Sequence, residues 1–451
     1  MKNKNPLYCL VLFLLALFGL VRTSKYYHIL YPIPIREYNY PQPGNELNII
    51  EVNKLIDSTS IGKLNETLYT LESSLPKSRF YNSHQGKEAA EYVTYFLQQL
   101  VDKYQIKSNY IVNVGQFKHE WSMGSPYLTI SPNYVKKSNN DNDNDNKAII
   151  IGCHIDSINF SGAEAPGVDD NMSAMSVAFV IIEGILQALH NGHFGQKIKN
   201  SIEFHFYSAE EFGSLGSIDL HRYRKTHEDK GEILAMLQLD MLGYTLASKE
   251  KTIESHIGLV TDYTTPSLLK FTESIIDIYC DIPYHHTKCG KVCSDHVAAL
   301  MYNSPAIYAL ESQVDLANPF RHGPMDTIEK IDIEHMFQFV KLTFGWVLEL
   351  AYSSEQQSST FNFKFGLLDY GMLELMHDVK RFVWIGISWA GAVGCAYWMW
   401  LDWREIGLEG YEMVQEVHNE QGEVQMVDLN RHKKTTIGGN PIKGKKGRHR
   451  K

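Results

Sequence analysis

The sequence predicts an α/β domain whose central sheet is mixed, mostly parallel and flanked by helices. Short apolar runs rich in β-branched residues, at residues 148–153 and 202–207, alternate with longer stretches of helical pattern, such as residues 173–189. The two runs lead into polar residues, namely His154 after the first and Glu210 after the second. Open α/β sheets bind their ligands at the carboxyl ends of their strands. We therefore expect a functional site at that edge of the sheet.

Composition narrows the class of protein. The chain has 451 residues, 44% of them hydrophobic, which is enough for one large domain with appendages or for two domains and argues against overall disorder. The formal net charge of −9 leaves no dominant basic face, so a nucleic-acid partner is not expected. Six cysteines are too few for a scaffold built on disulfides.

The N-terminal residues 1–25 are interpreted as a signal peptide or a signal anchor. Lys2 and Lys4 precede an unbroken apolar run over residues 6–21, which is the pattern of a secretory signal. No A-x-A cleavage site follows, so cleavage stays open. The segment predicts entry into the secretory pathway.

A second apolar segment, residues 382–401, is predicted to be a transmembrane helix. It carries no charge, has tryptophans near its ends, and is followed by a polar, basic-ended tail over residues 402–451. The basic residues nearest to it, Lys380 and Arg381, do not decide its orientation. The N-terminal signal places the domain between the two segments in the lumen or outside the cell, and the organelle stays open.

Residues 46–353 form the predicted domain between these ends. Its first part reads as two helices and two strands, over residues 47–56 and 86–104 and over residues 110–117 and 127–130. The low-complexity loop 138–146 cannot pack into a core. Four histidines of this domain are interpreted as surface or helix-end residues: His190, His193, His221 and His227.

Histidines and carboxylates recur at the predicted strand ends and loops. They are His154, Asp156, Asp169, Asp170, Glu210, Glu211, Asp240, His322 and Asp326. Nitrogen and oxygen donors without thiolate suit zinc in an open catalytic site. Two metals need a shared carboxylate, and the pair Asp169-Asp170 is its natural source. Of the adjacent Glu210 and Glu211, one is expected to bind metal while the other faces the substrate water.

These motifs resemble, in order and spacing, those of the M28 family of zinc aminopeptidases, in its compact leucyl-aminopeptidase-like branch. The motifs are H-x-D at 154–156, P-G-x-D-D at 166–170, A-E-E-x-G-x-x-G-S at 209–217, Q-L-D-M at 238–241 and H…D-T at 322–327. The resemblance extends from the N-terminal helices to about Tyr352. It implies a zinc exopeptidase-like fold and two Zn²⁺ ions as cofactors.

Matched position by position, the resemblance implies a role for each residue. Asp169 would bridge the two zinc ions, with His154 and Asp240 on one ion and Glu211 and His322 on the other. Glu210 would be the general base and acid. A carboxylate held near two cations is too acidic to take a proton, so the base should be the glutamate that binds no metal. Asp156 would orient the imidazole of His154, as metal-bound histidines require.

The resemblance also implies peptide substrates with apolar first residues and a disulfide, Cys289–Cys293, beside the specificity pocket. Asn65 matches the glycosylation sequon in a position where a glycan would not obstruct the site. The preferred first residue and the oligomeric state stay open.

Two alternatives to a membrane-tethered di-zinc aminopeptidase are kept. One is a glutaminyl cyclase-like transferase with a single zinc, which the intact Asp169-Asp170 pair disfavours. The other is a receptor-like relative that has lost catalysis, which the presence of every implied ligand and of Glu210 disfavours.

Overall fold

The computed structural model describes residues 35–106, 109–133, 147–159, 162, 164–227, 231–245, 254–353, 360–362, 414–418 and 424–428. The chain divides into two compact units, one of residues 28–368 and one that combines residues 1–27 with residues 369–451. The predicted signal segment 1–25, the predicted transmembrane helix 382–401, the loop 138–146 and most of the tail 402–451 lie outside the described residues.

An eight-stranded mixed sheet forms the centre of the larger unit. Its strands are β2 (Tyr110–Phe117), β3 (Ser125–Pro132), β4 (Ala148–His154), β5 (Ser201–Tyr207), β6 (Ile233–Leu239), β7 (Ile257–Val260), β8 (Tyr284–Thr287) and β9 (Ala306–Leu310), after a short β1 (Ile35–Glu37). The spatial order is β2-β3-β5-β4-β6-β9-β7-β8. Strands β5, β4, β6 and β9 run parallel, as do β7 and β8, while the other pairings are antiparallel. The predicted α/β class with a mostly parallel sheet is confirmed.

Helices cover the sheet. They are α1 (Glu46–Asp57), α2 (Ile61–Ser74), α3 (His84–Tyr104), α4 (Ala174–Asn191), α5 (Leu215–Thr226), α6 (Pro266–Tyr279), α7 (His296–Met301) and α8 (Ile333–Ala351). The predicted helices 47–56 and 86–104 match α1 and α3. Helix α2 was not predicted, although Ser60 caps it by accepting a hydrogen bond from the amide of Lys63.

The larger apolar core lies on one face of the sheet. Side chains alternate along a strand, so Ile149 and Ile151 of β4 belong to this core while Ile150 belongs to a smaller cluster. Phe179 of α4 and Trp346 of α8 are fully buried in the larger core. The smaller cluster contains residues from α5 and α7, so helices pack on both faces of the sheet.

Helix α4 with the turn before it, Val168–Asn191, is the one segment within the described ranges that is long and apolar enough to cross a membrane. Most of this stretch is buried inside the domain. A helix that is hydrophobic on all sides is typical of a buried core position, and α4 has that position here.

The prediction that His221 lies at the surface is wrong. His190, His193 and His227 are exposed, as predicted, whereas His221 on α5 is buried. Its Nε2 lies 3.3 Å from the hydroxyl oxygen of Tyr207, and burial lowers the pKa of the imidazole well below its usual value.

Two further strand pairs lie outside the central sheet. Strand β1 pairs antiparallel with β10 (Thr360–Asn362). In the smaller unit, β11 (Val414–His418) and β12 (Val424–Asp428) form an antiparallel hairpin.

Candidate functional site

The carboxyl ends of three adjacent parallel strands bring the predicted site residues to one edge of the sheet. His154 is the last residue of β4, Asp240 follows β6, and Glu210 and Glu211 follow β5 by three and four positions. Strands β5 and β6 flank β4 on opposite sides, so the chain crosses over between them. Such a crossover opens a crevice at the strand ends.

Two groups of candidate ligands meet at this edge. His154, Asp170 and Asp240 form the first group, and Asp170, Glu211 and His322 form the second. In the first group, Nε2 of His154 lies 3.0 Å from Oδ1 of Asp170 and 3.4 Å from Oδ1 of Asp240. In the second, Nε2 of His322 lies 3.1 Å from Oδ2 of Asp170 and 2.8 Å from Oε2 of Glu211. Each oxygen of Asp170 therefore faces one group.

The structure differs from the sequence prediction in the pair Asp169-Asp170. Asp170 lies between the two groups, in the position that was predicted for Asp169. Both carboxylate oxygens of Asp169 point elsewhere, because they accept hydrogen bonds from the amide of Gly243 at 2.8 Å and from Nδ2 of Asn318 at 2.9 Å. Adjacent residues on one turn present their side chains in different directions, and spacing alone does not reveal which of them faces the site.

The tautomer of His154 follows from its hydrogen bond. Its Nδ1 lies 3.1 Å from the backbone carbonyl oxygen of Asp156, which can only accept, so Nδ1 carries the proton and Nε2 is free to bind a metal. The carboxylate of Asp156 is farther away, at 3.6 Å from Nδ1. It accepts hydrogen bonds from the amides of Glu210 at 3.0 Å and Glu211 at 3.2 Å. Asp156 therefore ties the end of β4 to the loop that carries both glutamates.

The donor set and its electrostatics fit metal cations. Nε2 of His154 and Oε1 of Glu211 are buried and make no hydrogen bond. Burial, and then the charge of Asp170, raises the pKa of Glu211 to about 8. Burial favours neutral His154, yet the carboxylates around it, foremost Asp240, hold its pKa well above the usual value. The negative potential that favours a proton here also favours a cation. Imidazole and carboxylate donors without thiolate are those of an open zinc site.

Glu210 belongs to neither group of candidate ligands. Its amide is held by Asp156, and burial raises the pKa of its carboxyl well above the usual value. Glu210 and Glu211 therefore have different positions relative to the two groups.

Three residues at or next to the candidate site residues have a left-handed backbone conformation. Ala209, Met241 and His322 have φ values of 58°, 55° and 56°, in the left-handed region that residues other than glycine rarely adopt. Ala209 precedes Glu210, Met241 follows Asp240, and His322 is itself a candidate ligand. Such conformations cluster at functional sites because the surrounding structure holds them in place.

Hydrogen bonds from outside the two groups hold the candidate ligands. The carboxylate of Asp326 accepts from the amides of Asp169 and Asp170, both at 3.1 Å. Oγ of Ser294 donates to Oδ2 of Asp240 at 2.5 Å. These roles were not predicted, since each bond joins positions far apart in the chain.

Arg79 is the one buried lysine or arginine in the part of the chain that the structure describes. Its Nε donates to the carbonyl of Ile155 at 2.8 Å, Nη1 to that of Pro166 at 2.6 Å and Nη2 to that of Gly167 at 3.0 Å. Burial lowers the pKa of its guanidinium to about 10, so it stays charged at neutral pH. Arg79 thereby joins the loop after His154 to the turn before Asp170. Sequence reasoning missed it, because a single arginine in a loop carries no signal.

We expect Arg79→Lys to weaken zinc binding and to destabilise the domain. An ammonium group cannot reach three carbonyl oxygens in the fixed geometry of a guanidinium. Losing partners of a buried charge costs about 3 kcal/mol of stability, and disturbing the residues that orient metal ligands weakens metal binding about 10–100-fold. Chemical denaturation and zinc competition with a chelator measure the two effects. The matched control is Arg222→Lys on α5, where the side chain is 64% exposed. Wild-type zinc affinity in Arg79→Lys would contradict the prediction.

The implied disulfide between Cys289 and Cys293 is present. It packs against a small apolar cluster of Val260, Tyr308 and Leu310 from β7 and β9. The hydroxyl of Tyr308 lies 3.5 Å from the backbone carbonyl oxygen of Asp240, so this cluster borders the first ligand group. We refer to these five residues as the disulfide cluster.

Comparisons with known proteins point to one family. A family model described as Peptidase family M28 matches residues 133–347. Leucine aminopeptidase 1 of Uncinocarpus reesii is 35% identical over 309 residues, which are 67% of this chain and 73% of that protein. Leucine aminopeptidase 1 of Paracoccidioides brasiliensis is 34% identical over 319 residues, with 70% and 76% covered.

Solved structures give the same picture of the fold. LapB from Legionella pneumophila superimposes with a TM-score of 0.59 at 26% identity, covering 71% of this chain and 80% of that one. The LapA aminopeptidase of the same organism superimposes with a TM-score of 0.60 at 24% identity, covering 70% and 78%.

Proposed function

This chain belongs to peptidase family M28 and is a metallo-aminopeptidase, and from that premise we propose that it removes single residues from the N-termini of peptides by means of two zinc ions. The observation that carries the two-ion proposal is the position of Asp170, whose two oxygens face His154 and His322 at 3.0 and 3.1 Å. A single-zinc transferase needs only one such group. The same observation therefore favours hydrolysis over a glutaminyl cyclase-like reaction.

The proposed ligands are those of the two groups. His154 and Asp240 would hold one ion, Glu211 and His322 would hold the other, and Asp170, rather than Asp169, would be shared between them. When bound, a zinc pair polarises the scissile carbonyl and lowers the pKa of a water molecule between the ions. Nε2 of His154, whose Nδ1 faces the carbonyl oxygen of Asp156, and Oε1 of Glu211 are buried without a hydrogen bond, and they are the donor atoms that support this assignment.

Glu210 is proposed as the general base and acid. Its carboxylate accepts a proton from the attacking water and returns it to the amine of the departing peptide. Asp156 is proposed as the positioning residue for this step, because its carboxylate holds the amides of both Glu210 and Glu211. Its backbone carbonyl oxygen orients His154.

An apolar first residue is the proposed substrate preference. The disulfide cluster offers buried apolar side chains beside Asp240, at one end of the ligand groups. The leucine aminopeptidases that this chain is similar to support the same preference.

A single-pass membrane protein of the secretory pathway is the proposed setting, with the domain lumenal or extracellular. It rests on the sequence of residues 1–25 and 382–401, and the Cys289–Cys293 bond supports an oxidising compartment. Asn65 on α2 is the proposed glycan acceptor. Protease protection of chains tagged at each end tests the orientation. Digestion of the domain by protease added to sealed vesicles whose cytoplasmic face is outward would overturn it.

The full chain, purified in detergent, tests the proposed function. We expect two zinc ions per chain by elemental analysis, hydrolysis of a leucyl anilide, loss of turnover after chelation and recovery on adding zinc. Equal turnover of the metal-free and the metal-replete protein would refute the metal role. One zinc with conversion of N-terminal glutamine would support the transferase instead, and two zinc ions without any hydrolysis would support the receptor-like relative.

A further inference from the structure

Two phenylalanines beside the site stand out by their exposure. The side chains of Phe80 and Phe212 are 37% and 40% exposed. Their rings contact each other edge to face with centroids 5.1 Å apart, and the ring of Tyr81 lies 4.8 Å from that of Phe212. Single exposed apolar side chains are ordinary, whereas contiguous ones mark binding surfaces. We refer to Phe80, Tyr81 and Phe212 as the aromatic patch.

The aromatic patch is continuous with the ligand groups through the chain. Phe212 directly follows Glu211, a member of the second group. Phe80 directly follows Arg79, whose guanidinium holds the carbonyl oxygens of Pro166 and Gly167 before Asp170. Phe212 thus lies in the loop that carries Glu211, and Phe80 lies next to the arginine that holds the turn before Asp170.

Trp121 packs against the aromatic patch. The ring of Trp121 contacts that of Tyr81 edge to face at 5.8 Å, and its Nε1 donates to Oγ of Ser208 at the end of β5 at 2.7 Å. Trp121 thereby supports the ring of Tyr81, and a ring that is held in place loses less entropy on binding.

The sheet separates the aromatic patch from the disulfide cluster. Phe212 of the patch follows β5 by five positions, and the disulfide cluster lies at β9 and β7. In the order β5-β4-β6-β9-β7, the strands that end in His154 and Asp240 lie between them. A peptide whose first side chain occupies the disulfide cluster, as proposed above, therefore extends past the ligand groups toward the aromatic patch.

We propose that the aromatic patch binds the side chain of the second residue of the peptide, immediately after the scissile bond. This inference rests on the proposed function and adds a substrate class to it, namely peptides with an aromatic or large aliphatic second residue. A ring placed on two partly exposed rings removes apolar surface on both sides from water, and aromatic pairs prefer the edge-to-face contacts already present here.

The test compares two dipeptides that differ only at the second residue, Leu-Phe and Leu-Gly, with the full-length enzyme. We expect kcat/KM for Leu-Phe to exceed that for Leu-Gly by about 10-fold, the scale on which a partly apolar pocket discriminates between side chains. Phe212→Ala and, separately, Phe80→Ala should reduce this ratio to about 2-fold, because each removes one half of the surface. Phe212→Leu should give an intermediate ratio. Tyr95→Ala on α3, an aromatic residue that is 61% exposed and belongs to neither the patch nor the ligand groups, is the control that should keep the wild-type ratio.

The outcomes separate this inference from the proposed function. Hydrolysis of both dipeptides with a ratio near one, or a ratio that survives Phe212→Ala and Phe80→Ala, overturns the aromatic patch as a subsite and leaves the aminopeptidase activity intact. Hydrolysis of neither dipeptide by the zinc-loaded wild type overturns the proposed function itself. A ratio that falls equally in Tyr95→Ala assigns the loss to general damage and also overturns the inference.

Discussion

Asp170→Asn is expected to abolish the binding of both zinc ions and to lower kcat/KM by more than about 10³-fold. Replacing a residue that only orients a metal ligand already lowers metal affinity or activity about 10–100-fold, and Asp170 is itself a proposed ligand. The physical reason is that one carboxylate serves both groups: Oδ1 faces His154 and Oδ2 faces His322. An amide supplies a single, neutral oxygen and directs two hydrogens toward the other group. Zinc content by elemental analysis and turnover of a leucyl anilide measure the two losses.

Asp169→Asn is the matched control, one position earlier in the chain. Asp169 accepts from the amide of Gly243 and from the side chain of Asn318, so its replacement leaves a buried donor without an acceptor and costs about 1–3 kcal/mol of stability. We expect the variant to keep both zinc ions at saturating metal. If Asp169→Asn loses zinc while Asp170→Asn retains it, the assignment from the sequence is restored and the one from the structure fails.

The strand-end argument predicted most of this site because it depends only on local pattern. An apolar run identifies a buried strand, the next polar residue lies at its end, and parallel strands bring such residues to one edge. The pattern placed His154, Asp240 and the pair Glu210-Glu211 at this edge without knowledge of any contact, and only the resemblance to the family chose Glu211 over Glu210 as the ligand. It could not separate Asp169 from Asp170, since the direction of a side chain on a turn depends on backbone dihedrals that residue types do not determine.

What the sequence could not predict is held together by long-range hydrogen bonds. Arg79 reaches Pro166 and Gly167, Asp326 reaches the amides of Asp169 and Asp170, and Ser294 reaches Asp240. Each pair is joined only by the tertiary fold. His221 was misjudged for the same reason, because a histidine in a helix of mixed polarity is buried only through what packs against it, here Tyr207 of β5.

Glu210→Gln is expected to retain both zinc ions and to lower kcat by about 10²–10⁴-fold, the contribution of a positioned general base or acid. Glutamine has nearly the shape of glutamate but cannot take a proton from water. Glu210 lies outside both ligand groups, and the hydrogen bond from its amide to Asp156 does not involve the substituted atoms, so the metal groups should be undisturbed. KM should change little, because the lost interaction belongs to the transition state.

The neighbouring variant, Glu211→Gln, makes the comparison decisive. Oε2 of Glu211 lies 2.8 Å from His322, and both residues belong to the second group, so this variant should lose zinc as well as activity. Adding excess zinc should partly restore Glu211→Gln by mass action and should leave Glu210→Gln unchanged, because no metal ion replaces a proton acceptor. Loss of zinc from Glu210→Gln together with its retention by Glu211→Gln would reverse the two roles. In that case the adjacent glutamates would divide base and ligand in the opposite order.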